Sequence, residues 1–284
     1  MAALESNRGA PADTIAGIQD RRVAIVTGAS EGLGRVIAVQ LIREGYYVAV
    51  IGRDREKLDA FVLEQPSGSC LPIACDVTVG GQVHSMVASL IQATGRIDVL
   101  VNVVGQSDRG LVADLRIEKL EQLFATNVNA SLLCSQACLP WLEESGGVIV
   151  NIGSLAAKVG ARYLGGYPAA KHALAGLTQQ MRLEWKVRGV HVGLLNPGPI
   201  RRSDAGARYE KQVGDQTGLP AKASRPGGGT SVKGVPPEKV AKAVLKIIRK
   251  RKPDIIMPWH LRPLVAIGHL WPAAGDWLLL KFTR

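Results

Sequence analysis

A tyrosine and a lysine lie four residues apart in the segment Tyr167-Pro-Ala-Ala-Lys171. That spacing places both side chains on one face of a helix, where they are neighbours. An isolated tyrosine has a pKa of about 10 and is a poor proton donor near neutral pH, but a nearby ammonium group stabilises the phenolate and lowers that pKa. The pair predicts a site of proton transfer, although a tyrosine and a lysine with no catalytic role would show the same spacing on a helix surface.

A glycine-rich segment, Thr27-Gly28-Ala-Ser-Glu-Gly32-Leu-Gly34, has the composition of a phosphate-binding turn. It follows a β-branched run and precedes an amphipathic stretch. Glycines allow a tight turn and a close approach of the backbone to a pyrophosphate, and the following helix offers free N–H groups and the positive end of its dipole. The order of strand, turn and helix predicts a dinucleotide-binding turn, with a glycine-rich turn that binds nothing as the alternative.

Apolar runs and amphipathic stretches alternate from Arg21 onward. The runs predict strands over 23–27, 48–51, 70–74, 97–101, 147–152, 190–195 and, at an edge, 254–257; the stretches predict helices over 32–44, 55–64, 82–94, 117–143, 166–188 and 236–251. Strands that are apolar on both faces are buried on both sides, as in a parallel sheet. The alternation therefore predicts one α/β domain with a doubly wound parallel sheet.

The glycine turn resembles the first turn of the short-chain dehydrogenase/reductase family, which reads T-G-x-x-x-G-x-G. The resemblance continues in chain order through Asn127, Ser154 at the end of a strand, Tyr167 with Lys171, and Pro197-Gly198. It implies a Rossmann-type NAD(P)-dependent oxidoreductase with about seven strands in the order 3-2-1-4-5-6-7 and helices on both faces.

The chain departs from the family pattern at two places. Asn102-Val-Val-Gly105 stands where the family has N-N-A-G, so two valines replace the second asparagine and the alanine. Pro168 stands where serine is commoner, and a proline is accommodated in the first turn of a helix.

The resemblance implies a role for each catalytic residue. Tyr167 would exchange a proton with the substrate oxygen, Ser154 would donate a hydrogen bond to that oxygen, Lys171 would tune Tyr167 and hold the nicotinamide ribose, and Asn127 would position a water that relays protons. The residues expected to bind the cofactor are Thr27, Gly28, Ser30, Glu31, Gly32, Leu33, Gly34, Arg53, Asp76, Val77, Asn102, Gly105, Tyr167, Lys171, Pro197, Gly198 and Ile200. No metal site is expected.

The end of the second strand bears on the choice of cofactor. Gly52 stands where NAD-preferring relatives carry an aspartate, and Arg53 follows with a guanidinium suited to the 2′-phosphate of NADP. Glu31 and a pairing of Arg53 with Asp54 would both favour NAD. We expect NADP, with NAD as the less favoured cofactor. Asp76 would either contact the adenine or cap the turn into the next helix.

The bulk properties describe a globular protein with an excess of positive charge. The 284 residues carry 35 Lys and Arg against 24 Asp and Glu, a formal net charge of +11. The four cysteines lack zinc or redox spacing and are expected to be buried free thiols, which fits a reducing compartment. Residues 1–20 have no apolar segment typical of a secretory signal, and we expect them to form a flexible leader. A cytoplasmic location is therefore expected, and no nucleic-acid motif is recognisable.

Two segments beyond the motifs bear on the substrate. Residues 200–235 predict a lid over the substrate within the domain 21–258, and its basic residues would suit either an acidic substrate or a solvated loop. Residues 259–284 form an apolar, tryptophan-rich tail that could cover the pocket, meet another subunit or lie on a membrane surface as a peripheral contact. We expect the substrate to be a small-molecule carbonyl or alcohol and include lipophilic compounds in that class. We expect the protein to form a homodimer or homotetramer. A non-catalytic NADP-binding regulatory protein is the alternative.

Overall fold

The computed structural model describes residues 20–201, 209–214, 218–230 and 232–282. The expected leader lies outside them, except for its last residue. In the described part seven parallel strands form one sheet in the order β3-β2-β1-β4-β5-β6-β7, which confirms the predicted fold. The strands are β1 (Val23–Thr27), β2 (Tyr47–Gly52), β3 (Cys70–Ala74), β4 (Val99–Asn102), β5 (Val148–Ile152), β6 (His191–Pro197) and β7 (Asp254–Met257).

Helices cover both faces of this sheet. They are α1 (Gly32–Arg43), α2 (Arg55–Leu63), α3 (Gly80–Thr94), α4 (Ile117–Phe124), α5 (Ala130–Ser145), α6 (Tyr167–Lys186), α7 (Glu210–Gly214), α8 (Pro237–Lys250), α9 (Arg262–Leu270) and α10 (Pro272–Phe282). Alternate residues of β1 face opposite layers: Val26 packs with α1, α2 and α8, while Ile25 packs with α3, α5 and α6. The apolar runs are therefore buried on both faces, as the sequence predicted. The four cysteines are free and buried.

The long helix predicted over 117–143 is interrupted. A π-helical turn, Ala125–Asn129, separates α4 from α5. The side-chain amide of Asn127 donates to the carbonyl of Leu123 at 2.9 Å and to that of Gln106 at 3.0 Å, so it competes with the main-chain ladder at this point. Such turns often occur at functional sites, and this one brings Asn127 to the loop that follows β4.

The basic run Arg249-Lys-Arg-Lys252, at the end of α8, lies at the edge of the sheet where the strands begin. The guanidinium of Arg251 donates to the carbonyls of Gly146 and Gly189, which belong to the loops before β5 and β6. Strand β7 then carries the chain to the opposite edge, where α9 and α10 form a hairpin. A negatively charged surface that attracts the basic run would therefore not meet the tryptophan-rich tail, although the two are neighbours in sequence.

The tail folds into a helical hairpin formed by α9 and α10. A Cβ atom on Gly275 would lie 2.6 Å from the Cα of Gly268, so the two helices cross where neither has a side chain. No helix in the described part of the chain combines the length and the apolar character that a membrane crossing needs.

Candidate active site

A cavity of about 1370 Å³ runs along the edge of the sheet where the strands end. Most of the residues singled out from the sequence line it. They are Gly28, Ser30, Glu31, Gly32, Leu33, Gly34, Arg53, Asp76, Val77, Gly105, Ser154, Tyr167, Lys171, Pro197, Gly198 and Ile200. Residues from six strand ends thus share one space, as the parallel sheet requires.

Three of the singled-out residues lie behind the cavity wall and are buried: Thr27, Asn102 and Asn127. The hydroxyl of Thr27 accepts hydrogen bonds from the amides of Val103 and Val104, at 2.9 and 3.2 Å. These bonds fix the backbone after β4 even though two valines interrupt the family pattern there. Asn102 donates to the side chain of Asn151 at 2.9 Å, within the core between β4 and β5.

The glycine turn has the geometry that a pyrophosphate needs. Gly28 and Gly32 have φ angles of +64° and +56°, a region that favours glycine. A Cβ atom on Gly34 would lie 2.1 Å from the carbonyl oxygen of Gly28, so α1 starts in direct contact with the turn. Glu31, at the N-cap of α1, makes no side-chain hydrogen bond to the helix amides within the described residues. The first-turn N–H groups therefore face the cavity without a cap, and the cradle fits a dinucleotide.

The far end of the turn carries a cluster of charges. Asp54 caps α2 by accepting from the amide of Lys57 at 3.1 Å. The ammonium of Lys57 also lies 3.3 Å from the carboxylate of Glu31. Asp54 thus pairs with Lys57, and not with Arg53 in the ion pair that would have favoured NAD. Arg53 lines the cavity. Lys57 carried no signal in the sequence, because its partner Glu31 lies 26 residues away.

Asp76 both caps a turn and lines the cavity. Its carboxylate accepts from the amide of Thr78 at 3.0 Å and from its hydroxyl at 2.7 Å. These hydrogen bonds, together with the nearby cation of Arg53, lower the pKa of Asp76. The two alternatives for this residue are therefore compatible, since the turn that it caps forms part of the wall.

The predicted catalytic group is assembled at the other end of the cavity. Ser154 follows β5, and its hydroxyl accepts from the amide of Ala156 at 3.1 Å and lies close enough to the Tyr167 phenol to lower its pKa. The ammonium of Lys171 lies 5.8 Å from the centre of the Tyr167 ring and donates to the carbonyl of Ile152 at 2.9 Å. The side chains expected to exchange a proton and to bind the substrate oxygen are therefore adjacent.

The expected effect of Lys171 on Tyr167 is not what the structure shows. Burial raises the pKa of Tyr167 to about 12, and a hydrogen bond from Ser154 opposes this shift. Burial lowers the pKa of Lys171 to about 8. The cation that acts on the Tyr167 phenol is Arg109. Burial dominates because helix α6 begins inside the wall of the cavity, which the spacing of the two residues did not reveal.

Asn127 holds the backbone beside Lys171. Its side-chain oxygen accepts from the amide of Gln106 at 3.2 Å, and its amide group donates to the Gln106 carbonyl. A Cβ atom on Gly105 would lie 2.8 Å from that oxygen and 3.2 Å from the ammonium of Lys171. The three residues are in close contact, and only glycine leaves room for them.

The substrate end of the cavity is enclosed by the lid and the tail. The two ends of the lid lie side by side, because Ile200 and Val235 form a parallel β-bridge. Tyr209 and Val232 of the lid, and Leu261, Val265 and Leu279 of the tail, are among the residues that line the cavity.

The basic lid residues are only partly described. Arg202 and Arg208 lie outside the described residues, and Arg201 donates to the carbonyl of Gly234 at 3.1 Å.

Comparison with known proteins points to one family. A family model described as short chain dehydrogenase matches residues 22–214. The Dehydrogenase/reductase SDR family member 7B of Danio rerio is 31% identical over 267 residues, which make up 90% of this chain and 83% of that protein. A 3beta-hydroxysteroid dehydrogenase of Mediterraneibacter gnavus is 31% identical over 188 residues, or 64% of this chain and 67% of that protein.

A solved structure of an actinorhodin polyketide ketoreductase with NADPH has the same fold. It superposes with a TM-score of 0.73 at 27% sequence identity, over 84% of this chain and 96% of that one.

Gly105→Ala tests the contact between Asn127 and Lys171. The added Cβ would displace one of the two side chains, and a displacement near 1 Å at a reacting group can lower the turnover about a hundredfold. We expect a loss of that order with a nearly unchanged melting temperature. Gly81→Ala is the matched control, because nothing lies within 4 Å of its added Cβ in α3. Wild-type turnover in Gly105→Ala would show that the contact has no catalytic consequence.

Proposed function

Because the chain belongs to the short-chain dehydrogenase/reductase family, we propose that it is an NADP(H)-dependent oxidoreductase that interconverts a carbonyl and a secondary alcohol. One observation carries the proposal: a single cavity joins the glycine turn at one end to Ser154, Tyr167 and Lys171 at the other. The relatives reported above are named as enzymes, so a non-catalytic regulator is without support.

The residues of the chain supply the proton chemistry. A bound reduced nicotinamide provides the hydride that is added to the carbonyl carbon. The phenol of Tyr167 donates its proton to the carbonyl oxygen, so that the C=O group gains one hydride and one proton and becomes an alcohol. The hydroxyl of Ser154 donates a hydrogen bond to that oxygen while negative charge develops on it. Lys171, with a pKa of about 8, is mainly protonated at neutral pH and would hold the nicotinamide ribose, while Arg109 is the cation that acts on the phenolate left on Tyr167.

The charges near Arg53 support NADP as the cofactor. An aspartate at Gly52 would repel a 2′-phosphate, but this chain has no carboxylate there. The glycine turn carries one carboxylate, that of Glu31, and Lys57 pairs with it. Arg53 then presents an exposed guanidinium at the wall of the cavity, where it would bind the 2′-phosphate in a charge-assisted pair.

The lining of the substrate end supports a lipophilic substrate. Aliphatic residues of the lid and of both tail helices face the cavity, among them Val232, Leu261, Leu264 and Leu278. Apolar walls with a few placed polar groups are typical of sites for apolar small molecules. Two of the similar proteins are named for a steroid and a polyketide, and we extend that class of substrate to this chain.

A groove between α5 and α6 supports assembly into a homodimer. It is lined by Leu139, Leu177, Met181 and Trp185. Leu139 and Leu177 are half-buried at its rim, and a partly exposed apolar groove between two long helices is typical of a subunit interface.

Tyr167→Phe tests the acid–base role. The substitution removes the hydroxyl and keeps the ring, so we expect kcat for reduction of a steroid ketone to fall about a thousandfold. The affinity for NADPH, followed by its fluorescence, should stay within about twofold because the glycine turn and Arg53 are untouched. Gln179→Ala is the control, because that side chain is exposed on the same helix and is not among the residues that line the cavity. A Tyr167→Phe enzyme with near-normal turnover would exclude Tyr167 as the proton donor.

A set of charge variants tests the cofactor preference. Arg53→Ala removes a charge-assisted bond, so NADPH binding should weaken about tenfold to a hundredfold while NADH binding changes little. Lys57→Ala leaves Glu31 unpaired and should also weaken NADPH binding, whereas the double variant Lys57→Ala with Glu31→Gln should recover most of it. Arg55→Ala is the control, since Arg55 pairs with Asp59 in α2. Equal losses for NADPH and NADH in Arg53→Ala would contradict a phosphate contact.

A further inference from the structure

Arg109 is a buried arginine in the loop after β4, with 2% of its surface exposed. A buried guanidinium is costly unless its N–H groups find acceptors. Two acceptors belong to its own loop, the hydroxyl of Ser107 at 2.9 Å and the carbonyl of Asp108 at 2.6 Å. Two others belong to the lid, the carbonyls of Ala223 at 2.6 Å and Arg225 at 3.2 Å. One side chain therefore joins two segments that are more than a hundred residues apart.

The same guanidinium contacts a second part of the lid. Its carbon lies 3.8 Å from the centre of the Tyr209 ring, within the range of a cation–π interaction. Tyr209 stands before α7, and Ala223 and Arg225 follow that helix in the chain. Arg109 thus contacts the lid at two places along its length, in addition to the β-bridge between Ile200 and Val235 that joins the two ends of the lid.

The loop that carries Arg109 also supports the start of α6. Gly110 forms a parallel bridge with Leu164, three residues before Tyr167. The carboxylate of Asp108 accepts from the amide of Gly166 at 3.4 Å. Neighbouring residues of one loop therefore contact the lid on one side and the catalytic helix on the other.

We propose that Arg109 is a positioning residue that holds the described lid residues 209–214 and 218–230 in place against the loop on which the start of the catalytic helix rests. Its effect on Tyr167 follows from the same placement and rests on the proposed function. Burial raises the pKa of Tyr167, the hydroxyl of the nearby Tyr209 adds to the increase, and the Arg109 cation opposes it. The other charged group beside Tyr167 is Lys171 on its own helix.

Two variants of Arg109 separate its shape from its charge. Arg109→Met removes the charge and the forked N–H donors, while Arg109→Lys keeps the charge but cannot reach two carbonyls and stack on a ring at once. Both variants should release the lid. Only Arg109→Met should move the pH dependence of alcohol oxidation to higher pH, because the phenolate of Tyr167 is the base in that direction and loses a nearby cation.

Hydrogen–deuterium exchange of the lid is the direct measurement. The amides of Ala223, Arg225 and Gly228 form hydrogen bonds within the lid, so they report whether it stays ordered. In the unliganded protein we expect the peptide 218–230 to exchange about tenfold faster in both variants, since each loses bonds from a charged donor. Arg116→Met is the matched control, because Arg116 is exposed in the same connection. Its exchange and its pH profile should match those of the wild type.

The outcomes are distinct. Wild-type exchange of the peptide 218–230 in both Arg109→Met and Arg109→Lys would overturn the proposal, as would equally fast exchange in Arg116→Met. If Arg109→Met does not fold, Arg109→Lys decides the same question. The exchange is measured without substrate, so a wild-type protein that reduces no ketone would count against the proposed function while the role of Arg109 in the lid is still decided.

Discussion

Parallel pairing of the seven strands is the constraint on which the site depends. Parallel strands end at one edge, and four of the groups assigned to binding or chemistry follow such an end: Gly28 after β1, Arg53 after β2, Asp76 after β3 and Ser154 after β5. The hydrogen bonds that the Thr27 hydroxyl accepts from the amides of the loop after β4 extend this constraint past the strands themselves.

The sequence predicted those parts of the molecule that local pattern controls. Runs such as Val23–Thr27 are apolar on both faces, and the burial that this implies determines the sheet. The glycine turn, Ser154, Tyr167 and Lys171 were likewise recognisable, because their short motifs follow one another in the chain order of the family that they resemble. The interruption of the helix at Asn127 was not recognisable, since it depends on a hydrogen bond to Gln106 in a different loop.

The remaining features depend on contacts between distant residues. Lys57 neutralises Glu31, and Arg109 reaches the carbonyls of the lid, through pairs that no periodicity links. The direction of the pKa shift of Tyr167 depends on how deeply the start of α6 is buried, which a spacing of four residues does not describe. The apolar tail was recognised as unusual, but the hairpin that its two helices form, and the side chains that this hairpin contributes to the cavity wall, depend on contacts that the sequence pattern does not show.

Transfer of deuterium tests the central claim most directly. NADPH that carries deuterium at the transferable position would be incubated with the protein and a steroid ketone, and the alcohol formed would be analysed by mass spectrometry. Hydride transfer within the cavity predicts one deuterium on the new carbinol carbon, with none acquired from deuterated water at that position. An alcohol without this deuterium, or no alcohol from any of a panel of lipophilic ketones, would contradict the assignment of Ser154, Tyr167 and Lys171 to carbonyl reduction.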